Sequence, residues 1–221
     1  MRNKRDKPDK HNKRDQIDPI SISATTLAHY NTRAESFWLG TCEHDVSQNR
    51  AALLSSLQGE APYSLLDFGC GPGRDLKVFH DLGHEAVGLD GAEQFVAMAQ
   101  RYSDCEVWHQ DFLQLQLPPE RFDAIFANAA LFHIPSQEIE RILRELWATL
   151  KPGGVLFCSN PHGQNQEGWQ GDRYVCFYDL PTWQSLCTNA GFHELHHYYR
   201  PPGVPRHQQP WLATVWRKIN E

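Results

Sequence analysis

No stretch of this 221-residue chain is long and apolar enough to span a bilayer, and its opening residues are too polar for a signal peptide. Its six cysteines contain no Cys-x-x-Cys pair, so reduced thiols in a cytoplasmic protein are expected. No run of His, Cys and Asp has metal-ligand spacing, so no metal is expected. There is no internal repeat. A positive surplus is also missing: the net charge is −6, and it is uneven. Met1 to Gln16 holds seven Lys or Arg against three Asp, which leaves about ten net negative charges on the remainder. An acidic body is not built to neutralise phosphates, so nucleic acid is a disfavoured partner. The basic opening, residues 1–20, has almost no apolar residues and reads as a disordered tail. Residues 21–221 suffice for one domain with a full core, and composition leaves the oligomeric state open.

The most informative segment runs Leu65-Leu66-Asp67-Phe68-Gly69-Cys70-Gly71-Pro72-Gly73-Arg74-Asp75. It reads as a buried strand, a tight glycine turn and a helix start. Alternating glycines let backbone approach a ligand and take positive φ. A dinucleotide fingerprint needs its third glycine at position 74, where this chain has Arg74, so the turn suits a nucleoside ligand better than a pyrophosphate. Cys70 within the turn reads as packing. Asp90 follows Asp67 by 23 residues, room for one helix and one strand. It therefore ends the neighbouring strand, where a carboxylate can accept both ribose hydroxyls. A third strand-like run, Cys105 to His109, ends in Gln110-Asp111-Phe112, where Asp111 can accept from an adenine amino group and Phe112 can cover the ring. Phe122 to Asn128 is a fourth strand, followed by Ala129 to His133. Leu150-Lys151-Pro152-Gly153-Gly154 is a helix stop and turn into a fifth.

These five stations, in this order, resemble the class I S-adenosylmethionine-dependent methyltransferases, over about Tyr63 to Asn160. An ordinary doubly wound domain with a glycine turn accounts for Gly69 and Gly153, but not for three strand-end acids. The resemblance implies a Rossmann-like methyltransferase fold: α/β, a doubly wound, mostly parallel seven-stranded sheet with an N-terminal helical cap over 21–60. Strands are expected near 64–68, 85–89, 105–109, 122–127 and 154–159. Helices are expected near 73–82, 92–102, 136–150 and 179–190. Strands near 194–199 and 212–217 are implied to form an antiparallel edge hairpin. Helical spacing predicts cap helices over 25–39 and 44–57.

The resemblance also implies S-adenosyl-L-methionine as cofactor. Asp67, Gly69, Gly71 and Gly73 would surround its methionine part, with Arg74 beside them. Asp90 and Gly91 would hold the ribose, and Asp111 and Phe112 the adenine. Asn128 would bring backbone near the amine, and Tyr30 or Arg33 would reach the carboxylate. Enzymes of this fold that modify base amino groups often carry Asn/Asp-Pro-Pro-aromatic after the fourth strand. This chain has Asn128-Ala129-Ala130-Leu131 there, so a small-molecule acceptor is expected.

Two polar, aromatic segments are candidates for the acceptor site. Residues 159–178, expected as a loop, hold Asn160, His162, Trp169, Arg173, Tyr174 and Tyr178. Residues 196–211, expected to lack regular structure, hold Arg200 and Arg206. With Trp38, His44 and Asp45 they suggest an aromatic pocket whose Arg173, Arg200 or Arg206 clamps a carboxylate. An amino-acid or imidazole derivative, such as a thiohistidine, is the expected acceptor. His133 is the leading candidate base, with His44 and His162 as alternatives. A nucleotide-dependent oxidoreductase and a non-catalytic S-adenosylmethionine-binding regulatory protein are the rival readings.

Overall fold

The computed structural model describes residues 18–219; the basic tail expected over 1–20 lies outside these except for its last three residues. Those three correct the boundary, because helix α1 already begins at Pro19 (Pro19–Thr32). Proline is pre-organised for the first helical position, where its missing N–H costs nothing. The single cap helix expected over 25–39 is two helices, α1 and α2 (Ala34–Thr41), broken at Arg33. The Thr32 hydroxyl donates to the carbonyls of Ala28 and His29 and competes with the backbone there. The next helix, α3 (Ser47–Leu54), is shorter than 44–57, because the Asp45 carboxylate accepts from Ser47 N at 2.8 Å in a tight turn.

From Ser64 strand and helix alternate: β1 (Ser64–Phe68), α4 (Arg74–Asp81), β2 (Glu85–Asp90), α5 (Glu93–Ser103), β3 (Glu106–His109), β4 (Phe122–Asn128), α6 (Ile139–Thr149) and β5 (Leu150–Pro161). There follow β6 (Gln166–Gln170), β7 (Arg173–Phe177), α7 (Leu180–Asn189), β8 (Phe192–Arg200) and β9 (Trp211–Lys218). The main sheet has seven strands in the order β3-β2-β1-β4-β5-β9-β8. Strands β3 to β5 pair in parallel; β9 runs antiparallel between β5 and β8. All five residues of β1 are buried, as a strand covered on both faces must be. Leu66 and Phe68 join one core beneath α6 and α7, and Leu65 joins the other, beneath α3. Helix α6 turns Ile139, Ile142, Leu143 and Leu146 inward at helical spacing and pairs Arg141 with Glu145 on its outer face.

The chain winds from β1 outward through β2 and β3, then returns to β4 on the other side. Ligands bind in α/β folds at such a reversal, beyond the carboxyl ends of the strands. The glycine turn, Asp90 and Asn128 all lie there. The expected loop 159–178 is largely a second sheet, the hairpin β6–β7. Gly171 (φ +62°) and Asp172 form its two-residue turn, a combination that favours tight hairpins. The segment 196–211 is likewise more regular than expected: residues 196–200 belong to β8 and Trp211 opens β9. Among the described residues no helix is long and apolar enough to cross a membrane.

Candidate functional site

Three glycines with positive φ shape the turn after β1: Gly69 at +73°, Gly71 at +54° and Gly73 at +94°. A Cβ on Gly69 would lie 2.5 Å from that of Ala130, and one on Gly73 would lie 2.9 Å from the Ala99 backbone. The turn is pinned to β2 because Gly69 N and Cys70 N both donate to Leu89 O. Asp67 ends beneath it, 3% exposed, with Oδ2 buried and unpartnered. Burial and the neighbouring Asp75 carboxylate push its pKa well above the ordinary range. Asp75 is held by Arg50 at 2.5 Å and Arg74 at 2.6 Å.

Asp90 closes β2 on the same side. Its carboxylate accepts from Gly71 N at 3.0 Å and Ala92 N at 2.9 Å, and burial raises its pKa to about 6. Asp111 accepts through Oδ1 from Ser23 and from Leu113 N, while Phe112 stacks on Phe68 with centroids 4.3 Å apart. The side chain of Asn128 accepts from Asn49 at 2.8 Å, tying the end of β4 to the cap.

The cap and the hairpin meet over this site. Tyr174 N donates to the Thr26 hydroxyl, and Tyr174 O accepts from His133 Nδ1 at 2.7 Å. A carbonyl can only accept, so His133 carries its proton on Nδ1, and Nε2 accepts from the Tyr30 hydroxyl at 2.7 Å. Burial, with the nearby Arg173 guanidinium acting in the same direction, lowers the His133 pKa to about 4; burial raises that of Tyr30 against the pull of the same guanidinium. Both ring nitrogens of His133 are therefore engaged, which corrects its reading as an open base. Glu167 of β6 fastens the hairpin by accepting from Ser136 N, Ser136 Oγ and Cys176 Sγ.

Together these elements enclose a cavity of about 520 Å³, within the ordinary range for a small-ligand site. Of the expected residues, Asp67, Gly69, Gly71, Arg74, Asp90, Asp111, Phe112, Asn128, Tyr30 and His133 line it, as do Trp38, His44, Asp45, Arg173 and Arg200. Others do not. Gly73 packs on Ala99 and Gly91 on Leu27. Arg33 is 53% exposed and leans toward Asp172 on the outer surface. Trp169 stands on the hairpin exterior, Tyr174 serves the site through its backbone, and Tyr178 lies against Trp183. Asn160 points to the opposite sheet face from Ser159, as alternation demands. His162 packs on Tyr199, and Arg206 covers the Tyr199 ring at 3.4 Å. Ser159 and Trp211, the outer ends of the two segments expected to hold the acceptor, also line it, and lining residues that the sequence reading missed include Thr26, Phe37, Phe95 and Phe132. Strand alternation through Asn128-Ser159 and the cap's aromatic spacing were the signals available for them.

Residues 66–158 match the family described as Methyltransferase domain. The strand order, the turn after β1 and the acid closing β2 agree with that match. Residues 66–158 form a domain of the class I S-adenosylmethionine-dependent methyltransferase type. The chain is similar to a sterol 24-C-methyltransferase of Clavispora lusitaniae, 38% identical over 181 residues, covering 70% of this chain and 47% of that protein. It is also similar to a malonyl-[acyl-carrier protein] O-methyltransferase of Enterobacter lignolyticus, 32% identical over 117 residues, covering 52% and 46% of the two chains. The chain spans about a quarter to a half of the length of the first curated relatives it matches. In fold it is similar to the 1,6-didemethyltoxoflavin-N1-methyltransferase of Burkholderia thailandensis, with TM-score 0.73, 21% identity, and 92% and 91% of the two chains covered. That structure contains S-adenosylhomocysteine and 1,6-didemethyltoxoflavin. The donor set of the present cavity fits the family's cofactor. Asp67 offers a buried carboxylate whose Oδ2 is unpartnered, Asp90 a carboxylate at the strand end, and the turn the bare backbone of Gly69 and Gly71.

Proposed function

We propose that the chain transfers a methyl group from S-adenosylmethionine to a small polar molecule by in-line displacement. The observation that carries this reading is the unpartnered Oδ2 of Asp67 beneath the glycine turn, with Asp90 closing the adjoining strand. When bound, the cofactor supplies a methyl carbon already activated on a sulfonium. The protein's task is then alignment, which can contribute about 7–11 kcal/mol.

Asp67 Oδ2 would accept from the cofactor's ammonium, and the buried, unpartnered Nε of Arg74 would donate to its carboxylate. Asp90 accepts from two backbone donors and would hold the ribose hydroxyls on its remaining lone pairs. Asp111, Phe112 and Leu113 bound the adenine. Tyr30 and Arg173 close the cap side, and the His133 imidazole holds the Tyr30 hydroxyl in place. For an acceptor that must shed a proton, His44 takes it: it lines the cavity at an exposed position from which the proton reaches solvent. Two arginines, Arg173 and Arg200, and the aromatic wall suit a small polar acceptor such as an amino-acid or imidazole derivative. The named relatives act on a sterol and on an acyl-carrier conjugate, so similarity alone does not choose among acceptors.

Incubation with methyl-labelled S-adenosylmethionine and pools of amino acids, imidazoles, phenols and carboxylic acids tests the reading. Label should enter one class, and Asp67→Asn should lose the transfer. Cofactor binding without transfer to any class would instead support a non-catalytic binding protein.

A further inference from the structure

The cavity has a second end, walled by the antiparallel edge of the sheet. Ser159 of β5 lies opposite Ala213 of β9; two positions along, Pro161 lies opposite Trp211, which lies opposite Arg200 of β8. Directly opposed residues share a sheet face, and so do alternate residues of one strand. Ser159, Trp211 and Arg200 therefore emerge on one face, that of the core formed by Phe157, Val215 and Leu53, and all three line the cavity.

Two of them carry unused donors. Arg200 spends Nη2 on the carbonyl of Asp45 at 2.9 Å, which fixes its guanidinium plane, while its Nε is buried without a partner. The Ser159 hydroxyl is also buried without a partner. Of the nearby carboxylates, Asp45 accepts from Ser47 N through Oδ1 and feels the Arg200 charge without bonding to it, and Asp75 is held by Arg50 and Arg74. Beside the donors, Phe132 and Trp211 meet edge to face, with centroids 6.3 Å apart, as an apolar corner. A guanidinium edge can only donate, and a rotatable hydroxyl can turn its own proton to the same group, so a ligand group that meets both must accept.

We infer that the acceptor is a small molecule with a flat apolar body and a carboxylate, the carboxylate seated between Arg200 Nε and Ser159 Oγ and the body against Phe132 and Trp211. This rests on the methyltransferase reading and adds the acceptor's chemical class. The charge-paired carboxylate is the anchor, and the atom that receives the methyl group lies toward the glycine turn.

The test uses the full chain saturated with S-adenosylhomocysteine. The probes are hydroxy- and amino-substituted benzoates and indole carboxylates, each with its matching carboxamide, titrated at neutral pH by calorimetry. Acids should bind at least tenfold tighter than their amides. Arg200→Gln should remove that preference, Arg200→Lys should restore part of it, and Ser159→Ala should reduce it severalfold. Arg206→Gln, outside the cavity, should leave it intact. The affinity for S-adenosylhomocysteine, measured separately, should be the same in every variant. Equal binding of acids and amides, no binding of any acid to cofactor-loaded protein, or an acid preference that survives Arg200→Gln would overturn the inference. Failure of the native chain to bind S-adenosylhomocysteine would overturn the methyltransferase reading beneath it.

Discussion

Asparagine at position 90 should weaken cofactor binding while leaving stability nearly unchanged. Two opposing effects on the fold are involved. Burial raises the Asp90 pKa from 3.8 to about 6, which corresponds to about 3 kcal/mol spent at neutral pH on keeping the charge. Asp90→Asn removes that cost. The same change turns an amide nitrogen toward Gly71 N or Ala92 N, both of which now donate to the carboxylate. An unsatisfied buried donor of this kind costs about 1–3 kcal/mol, so the two effects nearly cancel. Binding has no such compensation. A charge-assisted bond to a ribose hydroxyl contributes about 1.5–3 kcal/mol, so losing one weakens binding by about tenfold to 150-fold. In the native chain, protonation of Asp90 should act like the substitution, so affinity should fall as the pH drops through about 6. Titration of S-adenosylhomocysteine between pH 7.5 and 5, with urea unfolding of both proteins, provides the assay. The variant should lack the inflection near pH 6. Unchanged affinity, or an inflection that persists in the variant, would refute the placement of the ribose on Asp90.

Gly69→Ala should destabilise the protein by at least about 2 kcal/mol and abolish cofactor binding, because it combines φ +73° with a Cβ 2.5 Å from Ala130; urea unfolding and calorimetry measure both. His133 is held neutral with its pKa lowered from 6.5 to about 4, so its stabilising contribution is present above pH 6.5 and lost as the pH falls toward 4. That amounts to about 2 kcal/mol between pH 7 and 5, and His133→Gln should remove this part of the pH–stability profile; comparing the two proteins cancels the opposite contribution of Asp90. Glu167→Ala should loosen the hairpin and cost about 1–3 kcal/mol, seen as faster amide exchange over residues 166–177 with the main sheet protected.

Strands β1 and β2 were legible because each is a largely buried apolar run closed by a glycine turn or an acid, and that grammar is local. The cap was less legible. Its break at Arg33 depends on hydroxyl-to-carbonyl bonds from Thr32, which compete with a helical pattern that is otherwise intact. The hairpin β6–β7 was hidden by polarity: Gln166, Glu167, Gln170 and Arg173 lack an apolar face, and the pairing is secured from outside by Ser136 and Thr26. Long-range partners account for the site residues that moved. Tyr30 was expected to reach the cofactor's carboxylate, yet its hydroxyl is turned to His133, 103 positions away in sequence. Of the three candidate arginines at the acceptor end, pairing with β9 brings Arg200 into the cavity, whereas Arg206 folds back on Tyr199.

A crystal structure of the full chain with S-adenosylhomocysteine tests the central claim most directly. The account predicts ribose hydroxyls on the Asp90 carboxylate, adenine bounded by Asp111, Phe112 and Leu113, and the amino group within hydrogen-bond distance of Asp67 Oδ2. The sulfur should face the space bounded by Asn128, Ser159 and Arg200. A ligand bound elsewhere, or one in this cavity that leaves Asp67 Oδ2 and Asp90 untouched, would contradict it.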